Sequence, residues 1–490
     1  MANSRQSIEE RINLFKKYLD HTGMDHKDYQ YEGVRWILNN ELSSDPLCGV
    51  RGGFIADEMG LGKTIMMIGT FLSNFVERTL IVVPPVLIDQ WYLQIYKTTG
   101  HKSLIYHGTD KKTITLEQLS KATIVITTYG ALYKINKTSV KNNEITLLHK
   151  INWSRLVFDE AHHLRNNKTN RFYASKLLSL KSQIVWLVSG TPVQNKKDDF
   201  YSLCSILKLP ASFYTEAENL RQLARTFILK RTKNLVGIEM QDIVSQKNMV
   251  AWKNRNEMEL SEEIHSALSF SRVSPTKSSK PIVNAMKSRG VLQLLLNARQ
   301  SCIYPKLMAN RVKNLSDFSL YKDAFNSSSK LDFVIKTILE RNGNGCGKLI
   351  FCHFREEIDE IATRLRAGGM TSVATFDGRT SNTKRFDVLN HKNDALILQI
   401  QTGCEGLNLQ ENYSEIYFIS PHWNPAIEDQ AIARCHRIGQ SKEVFVHRFE
   451  MCNFPSDEDF EIKIDTVTVD KYVGTVQDSK RVIAEECIQV

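Results

Sequence analysis

The stretch FIADEMGLGKTIMMI, residues Phe54–Ile68, decides the fold because it joins a short apolar strand to an apolar helix through a glycine-containing loop. The end of this loop, Gly62-Lys63-Thr64, matches the last residues of the phosphate-binding pattern G-x-x-x-x-G-K-[ST]. Asp57 stands where that pattern has its first glycine. The stretch therefore predicts a nucleotide-binding loop with one departure. The alternative is a chance Gly-Lys-Thr in an ordinary strand-to-helix turn.

The physical case for phosphate binding rests on the glycines and on the helix that follows. Small glycines let backbone N–H groups face a phosphate, and the helix N-terminus adds a favourable dipole. We predict that Lys63 neutralises the β- and γ-phosphates of ATP and that Thr64 ligates Mg²⁺. The predicted nucleotide contacts in this loop are Asp57, Met59, Gly60, Leu61, Gly62, Lys63 and Thr64.

A second motif, Asp159-Glu160-Ala161-His162, ends another apolar strand. An aspartate in this position holds Mg²⁺, usually through water, and Glu160 beside it can orient and deprotonate an attacking water. The alternative is an acidic strand end that caps the following helix. Because the two motifs occur in the right order, each on the right kind of element, together they predict an ATP-hydrolysing site with Lys63, Asp159 and Glu160 as catalytic residues.

Continuous apolar runs, each ending in polar, Gly or Pro residues, recur along the chain. Such runs are typical of parallel strands buried on both faces, with functional residues at their C-terminal ends. We therefore predict an α/β fold with two lobes, each a parallel sheet flanked by helices. The runs are 79–85, 123–130, 155–163 and 184–192 in the first lobe, and 347–354, 395–403 and 415–425 in the second.

The residues between these two groups of strands differ in composition and pattern. Leu- and Lys-rich amphipathic stretches with polar breaks predict helical protrusions there, and the tail from Thr468 has helical spacing. The predicted domains are an N-terminal extension 1–25, lobe 1 at 26–215, helical protrusions and linker 216–325, lobe 2 at 326–455 and a C-terminal brace 456–490.

Composition and charge indicate the kind of compartment and the kind of binding partner to expect. A net charge of +10 and a pI near 9.0 favour a polyanionic partner, although a solvated basic face gives the same numbers. The nine cysteines include no C-x-x-C and no zinc-ligand spacing, so we expect a reducing compartment. The first residues have no apolar h-region and no run is long enough for a membrane span, so we expect neither a signal peptide nor a membrane protein. The basic run LKRTK, Leu229–Lys233, is too short to predict nuclear import.

Five motifs together resemble a known family. ADEMGLGKT, DEAHHLRN, LVSGTPVQN, GCEGLNL and HWNPAIEDQAIARCHRIGQ resemble successive motifs of the Swi/Snf-type DNA-translocating ATPases of helicase superfamily two, in a compact form without accessory targeting domains. That family tolerates an aspartate at the position of Asp57. The ending HRIGQ differs from the QRxGRxGR-like ending of strand-separating DEAH helicases. The resemblance runs from about residue 29 to the C-terminal helix.

The resemblance implies two RecA-like lobes, with ATP in the cleft between them and double-stranded DNA across both. It implies that Gln30 reads the adenine, since one amide offers both a donor and an acceptor to a base edge. It also implies that Ser189 and Thr191 couple the γ-phosphate site to lobe closure. Thr128 and Trp423 are predicted DNA contacts, and the alternative for Trp423 is a ring packed under its loop.

In the second lobe the resemblance implies arginine fingers at Arg434 and Arg437, which would offset charge on the transferring phosphoryl group. They stand three residues apart on a predicted helix and so share a face. The alternative is an exposed basic helix face. Gly406 and Gln440 are predicted to lie beside the nucleotide.

The predicted function is thus an ATP-dependent translocase on double-stranded DNA. Its wider partners would be nucleosomes or a transcription complex, and it would work as a monomeric motor or as one subunit of a larger complex. Two alternatives stay open at this point. One is a strand-separating DNA or RNA helicase, and the other is an ATP-gated DNA-binding subunit with little turnover.

Overall fold

The chain folds into two compact units, each built on a parallel sheet. The computed structural model describes residues 7–133, 146–190, 197–268, 291–312, 321–380, 387–388, 391–403, 407–455 and 467–488. The first unit comprises 1–239 with 482–490, and the second comprises 240–481. Two α/β lobes with parallel sheets were predicted, and this prediction is confirmed. Within the described residues, no helix combines the length and apolar character needed to cross a lipid bilayer.

The sheet of the first unit has seven strands in the order β3-β4-β2-β5-β6-β1-β7, and all described pairs are parallel. The strands are β1 (Arg51–Ile55), β2 (Thr79–Val83), β3 (Leu104–Tyr106), β4 (Ile124–Thr128), β5 (Arg155–Asp159), β6 (Ile184–Val188) and β7 (Ile228–Leu229). The helices are α1 (Ile8–Thr22), α2 (Asp28–Leu42), α3 (Lys63–Ser73), α4 (Ile88–Thr99), α5 (Leu116–Lys121), α6 (Asn170–Lys181), α7 (Lys197–Ile206), α8 (Ala211–Thr215) and α9 (Ala217–Phe227).

The apolar runs form strands here because both faces of the sheet are covered. Along β2, Leu80 and Val82 join one buried cluster, while Ile81 and Val83 join the cluster on the opposite face. Successive side chains of a strand point to opposite faces, so a strand with a core on each side must be apolar throughout. The N-terminal extension takes part in this packing, because Phe15 of α1 lies against Gly69 of α3.

The register of three neighbouring strands brings their C-terminal ends level. Val188 of β6 pairs with Ile55 of β1 on one side and with Asp159 of β5 on the other. Neighbouring strands lie about 4.8 Å apart, so the segments that follow all three strands emerge at one edge within about 10 Å. That edge is where the sequence motifs meet.

The second unit has a six-stranded parallel sheet in the order β10-β11-β9-β12-β13-β8. The strands are β8 (Ile243–Val250), β9 (Gly347–Cys352), β10 (Val373–Phe376), β11 (Ala395–Gln399), β12 (Tyr413–Phe418) and β13 (Val444–Met451). The helices are α10 (Arg255–Ser266), α11 (Val291–Ile303), α12 (Lys306–Val312), α13 (Lys322–Asn326), α14 (Ser329–Glu340), α15 (Arg355–Ala367), α16 (Ile400–Gly403), α17 (Pro425–Ile432) and α18 (Val469–Ile488).

The unit boundary differs from the predicted domain limits. The segment 216–325 contains β7, which pairs with β1, and β8, which pairs with β13, so its two ends belong to the two sheets. The chain therefore passes between the units near Glu239 and Met240. The sequence did not predict β8, because this edge strand is mostly exposed and has no continuous apolar run.

The tail forms the helix that its spacing predicts. Val469 and Val473 of α18 belong to the buried core of the second unit, and Lys330 forms a buried ion pair with Asp470. The predicted brace is thus helical over Val469–Ile488. Its first part, 456–466, lies outside the described residues.

Candidate active site

The loop that follows β1 takes a shape that only glycine permits easily. Gly60 and Gly62 have φ of 96° and 81°, in the left-handed region that favours glycine. Gly62 is also the N-cap of α3, and a Cβ atom built there would lie 2.5 Å from Gln30 Nε2. Gln30 of α2 therefore lies in close contact with the N-cap of α3, where a side chain would not fit.

Lys63 and Gln30 both bind carbonyl groups of this loop. Lys63 Nζ donates to the carbonyl oxygens of Asp57 at 2.7 Å and Glu58 at 3.3 Å. The buried side chain of Gln30 donates from Nε2 to the Leu61 carbonyl at 3.3 Å. The side chains of the predicted adenine reader, in α2, and of the predicted phosphate ligand, in α3, thus both bind the same loop.

Asp57 is turned into the protein. Its buried carboxylate accepts hydrogen bonds from the Arg231 backbone N–H at 2.9 Å and from Arg231 Nε at 3.1 Å, both on Oδ1. Arg231 Nη2 donates to Oδ2 at 2.5 Å. Since Arg231 binds both oxygens of this carboxylate, a contact between Asp57 and the nucleotide would have to be made by the backbone of Asp57.

Asp159 lies at the end of β5 and is held from three directions. Its Oδ2 accepts from Trp91 Nε1 at 2.7 Å, its Oδ1 accepts from the Glu160 N–H at 3.0 Å, and its carbonyl accepts from the Tyr129 hydroxyl at 2.6 Å. Burial, and after it the neighbouring charge of Glu160, raise the pKa of Asp159 to about 6 against the lowering by the Trp91 hydrogen bond. Such a carboxylate is fixed in direction and stabilised by a nearby cation.

Glu160 has an unusual backbone for a residue that is not glycine. Its φ of 50° and ψ of 51° lie in the left-handed region, a conformation that costs about 1–3 kcal/mol and is concentrated at functional sites. Its Oε2 lies 3.2 Å from His162 Nδ1, and the Ser189 hydroxyl lies 3.5 Å from the same nitrogen. The structure therefore joins the acidic motif to the end of β6.

The end of β6 also touches the loop. A Cβ atom at Gly190 would lie 3.2 Å from Met59 Cγ and 3.5 Å from Lys63 Nζ. Ser189 and Gly190 thus lie between the loop and the acidic motif, because β6 lies between β1 and β5 in the sheet. Thr191, the other residue predicted here, lies outside the described residues.

The groups at this edge fit a magnesium nucleotide. The Lys63 ammonium group and the N-terminus of α3 are the kinds of group that bind phosphate oxygens. The Thr64 hydroxyl and the Asp159 carboxylate offer the oxygen ligands that Mg²⁺ prefers. Lys63, Asp159 and Glu160 can therefore form one catalytic group within the first unit.

The predicted arginine fingers do not share a helix face. Helix α17 ends at Ile432, and Arg434 and Arg437 lie in the turns that follow. In this turn the N–H groups of Arg434 and Cys435 donate to carbonyls only three residues earlier, those of Ala431 and Ile432. The Cys435 thiol donates to the Tyr413 carbonyl at 2.7 Å, which fixes this turn against β12.

Arg437 is nevertheless anchored. Its Nη1 donates to Asn408 Oδ1, and burial followed by the like charge of Arg434 lowers the pKa of Arg437. The structure thus keeps the two guanidinium groups near each other through the turn instead of through a helix.

Gln440 braces the same turn. Its Nε2 lies within hydrogen-bond distance of the carbonyls of Gln410 at 2.9 Å, Tyr413 at 3.0 Å and Cys435 at 3.2 Å, and its Oε1 accepts from the Lys442 N–H at 3.0 Å. The whole amide is used inside the second unit. Gly406, the other predicted nucleotide neighbour here, lies outside the described residues.

Both residues predicted to contact DNA, Trp423 and Thr128, lie against other side chains of the chain. The half-buried Trp423 ring lies edge-on to Tyr472 at 6.1 Å, and the Arg299 guanidinium carbon lies 5.3 Å from its centroid. This agrees with the alternative of a ring packed under its loop. The Thr128 hydroxyl is buried and lies 3.1 Å from His107 Nδ1. Contact of either residue with DNA stays a prediction.

Sequence reasoning missed three residues that hold this site. Trp91 binds Asp159, and Arg231 and Lys233 bind Asp57 and Glu58. The only signal for the last two was the basic run Leu229–Lys233, which reads as a surface feature in the sequence.

Two protein-family models match this chain, and together they cover segments of both units. The family model of the SNF2-related domain matches residues 29–307, and that of the helicase conserved C-terminal domain matches residues 329–439. The chain is 26% identical over 447 residues to a probable global transactivator of Orgyia pseudotsugata multicapsid polyhedrosis virus, covering 86% of this chain and 85% of the viral protein.

Other relatives are much longer than this chain. The chromatin structure-remodeling complex protein SYD of Arabidopsis thaliana is 28% identical over 492 residues, which cover 91% of this chain and 13% of the plant protein. The chain also spans less than half of an uncharacterised ATP-dependent helicase of Mycoplasma pneumoniae. Among solved structures, the SWI2/SNF2 ATPase core of Sulfolobus solfataricus in complex with dsDNA is 24% identical, covers 88% of both chains and gives a TM-score of 0.39.

Proposed function

The chain belongs to the SNF2-related domain family, and from this premise we propose that it couples ATP hydrolysis to movement along double-stranded DNA. The resemblance to Swi/Snf-type ATPases is confirmed, and with it a helicase-like, ATP-hydrolysing core. The observation that carries the proposal is the meeting of three segments at one sheet edge: the loop with Lys63, the pair Asp159–Glu160 and the end of β6.

The catalytic roles follow from the chemistry of these side chains. Lys63 binds the phosphate oxygens of ATP, and the N-terminus of α3 adds its dipole. Glu160 orients the attacking water and accepts its proton. Mg²⁺, held by Thr64 and Asp159, would neutralise phosphate charge. Trp91 and Tyr129 keep Asp159 aimed at this position.

We assign Arg434 and Arg437 as the arginine fingers of the same reaction. A guanidinium group is always charged, is planar, and suits the oxygens of a transferring phosphoryl group. The turn after α17 holds both groups, and Asn408 fixes Arg437 within it. Their replacement should lower turnover and leave the affinity for ATP nearly unchanged.

Double-stranded DNA is the proposed track. The net charge of +10 gives the chain an attraction for phosphates, and phosphate contacts carry no sequence information. Movement would therefore be largely independent of base sequence. The names of the relatives favour chromatin, repair or transcription as the setting, with nucleosomes or a transcription complex as the wider partner.

The test is a steady-state ATPase assay with no nucleic acid, single-stranded DNA, duplex DNA and RNA. We expect duplex DNA to stimulate turnover most, and this stimulation to fall steeply with salt because bound counterions are released on phosphate contact. Lys63→Ala is the control for a contaminating ATPase, since this variant should have no activity on any of the four.

A second assay separates translocation from strand separation. A translocase displaces the third strand of a triplex, whereas a helicase unwinds a forked duplex. Triplex displacement with weak unwinding supports the proposal. Strong unwinding without triplex displacement would replace it with the helicase function. A lack of stimulation by any of the three nucleic acids would replace it with the ATP-gated binding function.

A further inference from the structure

The basic run Leu229–Lys233 lies alongside the nucleotide-binding loop. Strand β7 pairs with β1 through Phe54–Ile228 and Ile55–Leu229. The pairing continues past the strand, because the Ala56 N–H donates to the Leu229 carbonyl at 2.8 Å and the Glu58 N–H donates to the Arg231 carbonyl at 2.9 Å. This run therefore extends the sheet along the first half of the loop.

The side chains of the run hold the two acidic residues of the loop. Arg231 encloses the Asp57 carboxylate with the three hydrogen bonds described above, and its Nη1 also donates to the Tyr29 carbonyl. Lys233 is buried, its N–H donates to Glu58 Oε2 at 2.8 Å, and its Nζ lies 3.1 Å from Glu58 Oε1. Each acidic side chain thus has its own basic partner.

The same two loop residues hold the catalytic lysine by their backbones. Lys63 Nζ binds the carbonyl oxygens of Asp57 and Glu58. The side chains fixed by Arg231 and Lys233 and the carbonyls that orient Lys63 therefore belong to the same two residues. A shift of either acidic side chain moves the ammonium group that meets the phosphates.

We propose that Arg231 and Lys233 are positioning residues of the nucleotide-binding loop. A first glycine lets the loop of the general pattern close around phosphate by its own backbone freedom. This chain has Asp57 there, and its loop is shaped instead by an ion pair with a residue 174 positions downstream. The inference rests on the proposed nucleotide site, because it concerns how that site is kept in shape.

The chain offers a matched control for the test. Arg155 forms a two-point ion pair with Glu41 in the same unit, with Nε donating to Oε1 at 2.7 Å, and the carboxylates of Glu41 and Asp57 are both buried. Arg155 begins β5, so this pair lies at the opposite end of the strand from Asp159. Arg155→Lys and Arg231→Lys each keep the charge and lose the planar two-point geometry.

The experiment measures binding of a fluorescent ATP analogue without DNA, together with the melting temperature, for the purified full chain. Arg231→Lys should raise Kd by roughly 10-fold or more, since a charge-assisted hydrogen bond that orients a ligand group is lost. Arg155→Lys should lower the melting temperature to a similar degree and change Kd less than about 2-fold. Lys233→Met gives an independent test if Arg231→Lys folds poorly, and it should also raise Kd.

A double replacement distinguishes positioning from general destabilisation. If Arg231 acts through Asp57, then Arg231→Lys should add little to Kd in a chain that already carries Asp57→Gly. The inference is overturned if Lys63→Ala weakens binding of the analogue but Arg231→Lys and Lys233→Met both have the Kd of the wild type. If Lys63→Ala binds the analogue normally, the proposed nucleotide site itself is refuted, and the inference fails with it.

Discussion

Replacing Trp91 by phenylalanine tests whether Asp159 is a magnesium ligand held in place by its neighbours. The indole N–H donates to Asp159 Oδ2 at 2.7 Å, and both residues are buried. A hydrogen bond to a charged group contributes about 1.5–3 kcal/mol, and each 1.4 kcal/mol is a factor of ten. Loss of a residue that orients a metal ligand typically costs about 10–100-fold in metal affinity. We therefore expect Trp91→Phe to raise the Mg²⁺ concentration for half-maximal ATPase about 10-fold or more.

A second tryptophan of the same unit controls for the cavity that the smaller ring leaves. Trp153 is also buried, and its indole N–H donates to the Leu148 carbonyl at 2.9 Å, away from the acidic motif. The assay is steady-state ATPase against free Mg²⁺ at constant ATP, with thermal melts of both variants. Trp153→Phe should lower stability and leave the Mg²⁺ dependence unchanged. Equal Mg²⁺ dependence in Trp91→Phe and the wild type would show that Trp91 only fills space.

Three further predictions follow from the described contacts. Glu160→Gln should keep nucleotide binding and lose at least about 100-fold in turnover because an amide cannot accept the proton of water; near-normal turnover would refute the general-base role. Trp423→Ala should lower the stability of the second unit by about 2 kcal/mol and should use more ATP per step in triplex displacement; ATPase and movement that fall together would refute a coupling role. Burial lowers the pKa of His265 to about 4, so the unfolded chain binds a proton at this histidine before the folded chain does. The free energy of unfolding of the second unit should therefore fall by about 3 kcal/mol as the pH falls from about 6.5 to about 4. Urea unfolding at several pH values should show this loss, and His265→Gln should reduce it.

The geometry at His265 explains the direction of that last effect. Its Nδ1 donates to the Ser261 carbonyl at 2.7 Å, and its Nε2 accepts from the Val469 N–H at 3.0 Å. A second proton on Nε2 would face that N–H donor. The nearby charge of Asp470 favours protonation and only partly offsets the cost of burial.

Local patterns in the sequence were sufficient to predict the central strands of both sheets and the segments that meet at one edge of the first sheet. Strands such as Thr79–Val83 are buried on both faces, so their apolar character appears as a continuous local run. The loop before Lys63 and the acidic pair after β5 are also local patterns. Since the C-terminal ends of parallel strands meet at one edge, local patterns were enough to bring these residues together.

Contacts between distant parts of the chain could not be predicted in this way. Trp91 lies 68 positions from Asp159, and Arg231 lies 174 positions from Asp57, so no local spacing relates either pair. The segment holding Arg434 and Arg437 was predicted as helix, whereas a hydrogen bond from Cys435 to the neighbouring β12 helps fix it as a turn. Tertiary packing overrides local preference in such cases.

The position of the run Leu229–Lys233 has a mechanical consequence. The last residue of this run, Lys233, binds Glu58 of the nucleotide-binding loop, and the chain enters β8 of the second unit at Ile243. The ten peptide units between Lys233 and Ile243 reach at most about 35 Å when fully extended. A force that extends this connecting segment would act directly on Arg231 and Lys233, the residues that bind Asp57 and Glu58. If the chain moves along DNA as proposed, the strength with which it holds ATP would then vary with the load on its units.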